Sequence, residues 1–95
     1  MPAYLVIDLD VHDPERYAAY IREVPRFIKK YGGEYIVRGG EHEVIEGTWK
    51  PKRLVVIRFP NRQAIRDCFA DPEYQPLSAL RREVASTNSV AVDGL

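Results

Sequence analysis

Cysteine is almost missing from this chain: Cys68 is the only one in 95 residues. No intramolecular disulfide can form, and no cysteine metal cluster can be built. Histidine is scarce too. His12 and His42 are the only two, and neither has an evident partner, so no metal site is expected and heme ligation by His42 is remote. Phosphate-binding loops and cofactor fingerprints are absent, so no cofactor is expected. Excess charge is missing as well. Lys plus Arg number 14 and Asp plus Glu number 14. A general nucleic-acid binder needs positive excess, so that class is set aside. No apolar stretch approaches about 18 residues, and the N-terminus lacks a basic region followed by an apolar run. The expectation is a cytoplasmic protein without membrane attachment.

What is present is enough for one folded domain, residues 1–95. Hydrophobic residues make up 45% of the chain, which rules out a disordered segment. At this size folding buries only about 60–65% of the unfolded surface. The core is thin, and pairing with a second copy is a common remedy.

Residues 4–11 alternate with period two. Leu5, Ile7, Leu9 and Val11 fall on one face, and Tyr4, Val6, Asp8 and Asp10 on the other. That is a half-buried strand. Asp13-Pro14 then starts a helix, with an N-cap carboxylate and a proline suited to the first turn. Tyr17, Ile21, Val24, Ile28 and Tyr31 share one face of it. Pro25 removes the hydrogen bond to the Ile21 carbonyl and is expected to kink it. Gly32-Gly33 ends it.

A second strand is expected from about Glu34 to Glu46, with a bulge at Gly39-Gly40. A hairpin over residues 47–52 leads to a third strand, Arg53 to Phe59. The second helical region spans about Arg62 to Ala85. Asp71-Pro72 and Pro76 divide it into two short helices, with Leu77, Leu80 and Val84 on the second. A fourth strand covers residues 89–93, with Val90 and Val92 on one face.

The order β-α-β-β-α-β predicts an α+β, ferredoxin-like domain, with both helices on one face of a four-stranded antiparallel sheet. Leu5, Ile7, Leu9, Val55, Ile57, Phe59, Val90 and Val92 are expected to face the helices. Tyr4, Val6, Asp8, Leu54, Val56, Arg58, Ser89 and Ala91 then form an opposite face too apolar for water and too charged for a core. A symmetric partner sheet would cover it.

Several pieces, in order, carry a resemblance along essentially the whole chain. They are Ala3-Tyr4, Asp13-Pro14 with Tyr17 and Tyr20, Tyr31-Gly32-Gly33, Arg38-Gly39-Gly40, Glu46-Gly47 with Trp49, Phe59-Pro60, and Asp71-Pro72-Glu73-Tyr74. The chain resembles the domain of unknown function 1330 family of the dimeric α+β barrel superfamily. The resemblance implies a ferredoxin-like subunit and a homodimer, but no agreed activity. Related families include cofactor-independent monooxygenases, heme-handling enzymes, lactone isomerases and ligand-sensing domains, and choosing among them would be fold-level analogy.

The candidate site residues follow from side-chain chemistry. Arg38 lies in a strand beside Gly39 and Gly40, which let a ligand approach the backbone. A guanidinium grips a carboxylate with two hydrogen bonds, so a small anionic or enol-bearing ligand fits. The plainer reading of Arg38 is an ion pair with Asp8 or a glutamate. His42 is the general-base candidate by type, against a surface histidine in an edge strand. Asp8 is either paired with Arg58 or Arg38, or shifted and catalytic. Tyr17, Tyr20 and Trp49 are pocket-lining candidates, against ordinary packing. Lys50, Lys52 and Arg53 read as a solvated turn. Cys68 reads as a small buried hydrophobe.

Two functions remain in view. One is an enzyme that needs no cofactor and acts on a small metabolite. The other is a module that binds or senses a metabolite without turnover.

Overall fold

A computed structural model describes residues 1–95. The elements are β1 (Ala3–Val11), α1 (Pro14–Lys30), β2 (Glu34–Arg38), β3 (Arg53–Phe59), α2 (Arg62–Ala70), a 3-10 turn (Pro72–Tyr74), α3 (Gln75–Val84) and β4 (Ala85–Asp93). The strands form one antiparallel sheet in the order β2-β3-β1-β4. The fold is ferredoxin-like. No helix is long and apolar enough to cross a membrane.

Local chemistry sets the helix ends. The Asp13 carboxylate accepts from the Arg16 backbone N–H at 3.1 Å, and Asn61 does the same for Ala64 at 2.8 Å. Each satisfies one of the free donors of a first turn. Gly32 takes a left-handed φ of 78° past the end of α1, the turn conformation that glycine adopts without steric cost. Helix α1 continues through Pro25 as one element.

The helices cover one sheet face. Leu5, Leu9, Val55, Ile57 and Phe59 are buried beneath Tyr17, Tyr20, Val24, Phe27, Ile28, Ile65, Tyr74 and Val84. The chain measures 36 × 34 × 16 Å. Sixteen ångströms accommodates one sheet and one helix layer and nothing more, so the other sheet face is bare.

Two sequence expectations are corrected here. The second strand ends at Arg38, not near Glu46. β3 runs only from Arg53 to Phe59, and beyond the Gly39 N–H to Leu54 carbonyl bond no backbone remains for a longer strand to pair with. Val90 and Val92 do not face the helices. Antiparallel partners share a face; Val90 pairs with Val6 and Val92 with Tyr4, so both valines join the bare face, 59% and 50% exposed. Ser89 and Thr87 take the helix-facing places, opposite Ile7 and Leu9.

One acid holds the helical layer together. Asp71 is buried, and its Oδ2 accepts from Lys30 Nζ at 2.8 Å and the Tyr31 hydroxyl at 2.7 Å. Its Oδ1 accepts from the Glu73 N–H at 2.9 Å, capping the 3-10 turn. The Lys30 hydrogen bond, then the Tyr31 hydroxyl, lowers its pKa from 3.8 to about 2. The folded value is depressed, so the stabilisation is fully present above 3.8 and fades as pH falls toward 2. Lys30 and Tyr31 are both raised, chiefly by the same hydrogen bonds. Their contribution is lost only at alkaline pH. Asp71→Asn is therefore expected to destabilise the domain at neutral pH, with the gap to the parent closing between pH 3.8 and about 2. Urea denaturation across that range measures it. A gap independent of pH would contradict the assignment.

Candidate functional site

Between the helices and the sheet lies a cavity of about 50 Å³. One water needs about 10–15 Å³ on this measure, so the space suits about four waters or a small ligand of similar bulk. Its walls are mainly apolar: Leu5, Ile7, Leu9, Ile21, Val24, Val55 and Ile57, with the rings of Tyr17, Tyr20, Tyr35, Phe69 and Tyr74. Its polar lining is one-sided. Arg38, Arg53 and Arg81 all line it, and no aspartate or glutamate does. None of the three guanidiniums has an ion-pair partner anywhere in the subunit.

A bulge brings Arg38 to this cavity. Regular alternation from Tyr35, which faces the helices with Ile57, would send Arg38 to the bare face. The register slips between Tyr35 and Val37, so Val37 pairs with Val56 and Arg38 returns to the helix side opposite Val55. The bulge thus sits three residues before the expected Gly39-Gly40 position. Arg38 then lies over the Tyr35 ring at 4.5 Å and donates to the Ile21 carbonyl at 3.0 Å. That carbonyl is the one Pro25 cannot reach, because proline has no N–H. Pro25 and Arg38 thus form a latch between α1 and the edge strand. Pro25→Ala is expected to stabilise the domain by about 1–3 kcal/mol through restored helix bonding, while weakening the hold on Arg38. Urea titration checks the first effect, and a lower stability would refute it.

Arg53 enters from β3. It shares the face of Val55, Ile57 and Phe59, and its guanidinium carbon is 5.9 Å from the Tyr17 ring centre. The guanidinium lies so close to Gly39 that a Cβ there would meet Nη1 at 2.1 Å. Gly39 also has φ 70°, so glycine meets two demands at once. The expected solvated turn at Lys50, Lys52 and Arg53 is therefore wrong for Arg53, which is half-buried. Leu9, Tyr17, Ile21 and Arg53 also line a shallower groove with Gly39 and Lys52, which marks the mouth.

The phenols form the floor. The Tyr20 and Tyr74 hydroxyls are 2.7 Å apart. Such a pair uses one of its two O–H donors and leaves the other free. Burial, then Tyr74, pushes the Tyr20 pKa far up; burial also raises Tyr35. Both phenols are neutral donors at physiological pH. Cys68 is buried and raised to about 11, mainly by desolvation, so it carries no thiolate.

The remaining candidates lie elsewhere. Asp8 is on the bare face and pairs with neither Arg38 nor Arg58. Its Oδ2 accepts from Trp49 Nε1 and its Oδ1 from the Lys52 N–H, each at 3.1 Å. It fastens the segment 39–52 to the sheet. Trp49 is 60% exposed on that segment. His42 is exposed, with Nε2 2.8 Å from the Pro51 carbonyl, and lines an open polar groove with Gly40, Glu41 and Glu43. No cluster of three or more His, Cys, Asp or Glu side chains is placed to hold a metal.

The family model for a domain of unknown function (DUF1330) matches residues 2–95. The chain belongs to the DUF1330 family. No curated protein sequence matches it. Among solved structures, it is similar to the RPA0582 protein of unknown function from Rhodopseudomonas palustris, with a TM-score of 0.80 at 18% identity, over 99% of this chain and 82% of that one. It is similar also to SnoaB, a cofactor-independent oxygenase from Streptomyces nogalater, at 0.71 and 17%, over 99% and 93%. A dimeric ferredoxin-like protein of unknown function from Jannaschia sp. CCS1 aligns at 0.64 and 10%, over 99% and 100%. At these identities the likeness is one of fold. For this DUF1330 domain the site must be argued from its own residues.

Arg81, Tyr35, Tyr74, Thr87 and Ser89 line the cavity without having been singled out in the sequence. Arg81 was recoverable, because it follows Leu77 and precedes Val84 at helical spacing. Thr87 and Ser89 required the register of β4.

Proposed function

We propose that this domain binds a small organic anion with an apolar body in the cavity between helices and sheet. The observation that carries the reading is three unpaired arginines around an apolar space with no carboxylate. Arg53 and Arg81 are half-buried and Arg38 is exposed; cations held partly out of water against an apolar wall favour a counter-charge, and the ligand supplies it. Arg38, exposed at the rim, draws the anion in, while Tyr17 and Tyr20 hold its body.

The chain is read as a homodimer, with the bare sheet faces of two copies packed together. Support comes from the apolar face itself and from the dimeric relative.

A second reading, turnover without a cofactor, is favoured by the likeness to SnoaB. In that reading the substrate enters already ionised, as an enolate or carboxylate, and the spare phenol O–H of the Tyr20–Tyr74 pair donates to its oxyanion. Proton transfer by His42 or Asp8 would have to act outside this cavity, since neither side chain lines it.

The binding experiment compares 3-methylbutanoate with 3-methylbutanamide by NMR titration of the ¹⁵N-labelled protein. The acid is expected to bind about tenfold or more tightly, as a charge-assisted pair requires. Arg38→Ala is expected to lower affinity a few-fold and to flatten its salt dependence, as loss of a rim charge does. Equal binding of acid and amide, or none of either at the cavity, would refute the reading.

A further inference from the structure

Two buried side-chain polar atoms have no hydrogen-bond partner, Arg53 Nε and Thr87 Oγ1. Both belong to residues that line the same cavity. The sheet explains why they line one cavity. Leu9 pairs with Arg53 on one side and with Thr87 on the other. All three therefore stand in one row on the helix face, with strand spacing putting Arg53 and Thr87 about 10 Å apart at their Cα atoms. The Arg53 guanidinium lies against Gly39, on the β2 side, while its buried Nε and the buried Thr87 Oγ1 both belong to residues that line the cavity. Nothing in its own subunit uses its donors: it has neither an ion pair nor a side-chain hydrogen bond.

A buried donor left alone costs about as much as a lost hydrogen bond. Native proteins keep few such groups, and each calls for an explanation. Water would satisfy the hydrogen bonds but not the charge. An anion satisfies both. Thr87 adds information that Arg53 does not. A threonine hydroxyl both donates and accepts, so it suits a neutral oxygen beside the charged group.

We propose that Arg53 and Thr87 form the anchor of the cavity. The Arg53 Nε–H takes a carboxylate oxygen, and the Thr87 hydroxyl takes a second oxygen carried beside it. The ligand class is a small hydroxy- or oxo-acid with an apolar body. This rests on the anion-binding reading and narrows it. Arg38 differs in kind: its guanidinium already serves the Ile21 carbonyl and the Tyr35 face at the rim. Arg53 has no such partner, and Gly39, lacking a Cβ, leaves room for its guanidinium.

Three matched probes test this by NMR titration of the full chain: 2-hydroxy-3-methylbutanoate, 3-methylbutanoate and 3-methylbutanamide. The hydroxy acid is expected to bind about tenfold more tightly than the plain acid, and the acid more tightly than the amide. Thr87→Val should erase the hydroxy preference and leave acid over amide. Arg53→Gln should erase acid over amide. Arg53→Lys keeps the charge but lacks the Nε–H geometry, and should recover less than a tenth of the acid preference. It also serves if the glutamine variant does not fold. Acid preference surviving in both Arg53 variants would overturn the anchor while leaving the cavity reading intact. If neither acid binds the parent protein at the cavity, both fall. An unchanged hydroxy preference in Thr87→Val would overturn the second contact.

Discussion

Tyr74→Ala is expected to cost about 3–5 kcal/mol, the range for removing a buried aromatic ring. Tyr74 is 2% exposed and central. Its ring meets Phe27 at 5.6 Å, Phe69 at 5.8 Å and Tyr20 at 6.5 Å, all edge-on. A domain of this size holds about 5–15 kcal/mol in total, so the melting temperature should fall by more than about 12 °C. The hydroxyl can be separated from the ring. Tyr74→Phe leaves the Tyr20 hydroxyl without its 2.7 Å partner, and should cost about 1–3 kcal/mol. Tyr20→Phe should cost a similar amount. The double variant removes both hydroxyls together and strands neither, so its cost should lie near that of one substitution. Urea denaturation of the four proteins closes the cycle. Strict additivity would mean that the two phenols do not depend on each other.

The same residues show how far sequence reasoning reaches. Helix ends were legible because Asp13 and Gly32 act on their own neighbours. The face of β3 was legible too, since Val55, Ile57 and Phe59 alternate cleanly. Arg53 has the same parity, yet its place beside Lys50 and Lys52 suggested a turn. Parity is the stronger signal, because a strand face is set by backbone geometry while a charge run only describes composition. The facing of β4 was misread for a physical reason. Val90 and Val92 are its most apolar side chains, and hydrophobicity alone sends them to the nearest core. Pairing with β1 sends them to the other face, where they are 59% and 50% exposed. Arg38 was found by its neighbours, but only the slip between Tyr35 and Val37 decides which side of the sheet it serves. Asp8 had no such signal. Its partners Trp49 and Lys52 lie some forty residues away, and nothing local predicts that a carboxylate will fasten that segment.

If two copies pair through the bare sheet face as proposed, Val6→Glu should leave the chain a monomer. Val6 sits on the central strand β1, between Val56 on β3 and Val90 on β4. Tyr4, Leu54 and Val92 extend the patch, and the only charges facing each other across neighbouring strands are Glu34 and Arg58 at one end. A patch of this kind rarely stays in water on a stable monomer. In a two-fold pairing each copy brings its own substitution to the interface. Burying one unpaired carboxylate costs about 3–5 kcal/mol, and symmetry doubles it. The dissociation constant should therefore rise by about 10⁴-fold or more. The cavity lies on the other side of the sheet, lined by Leu5, Ile7 and Leu9 from the same strand, so the monomer should keep its fold. Sedimentation at several concentrations reads the mass, and circular dichroism reads the fold. A parent protein that sediments as a monomer would remove the pairing outright. A Val6→Glu variant that remains a dimer would move the contact to another surface, with the exposed Val44, Ile45 and Trp49 of segment 39–52 the next place to look.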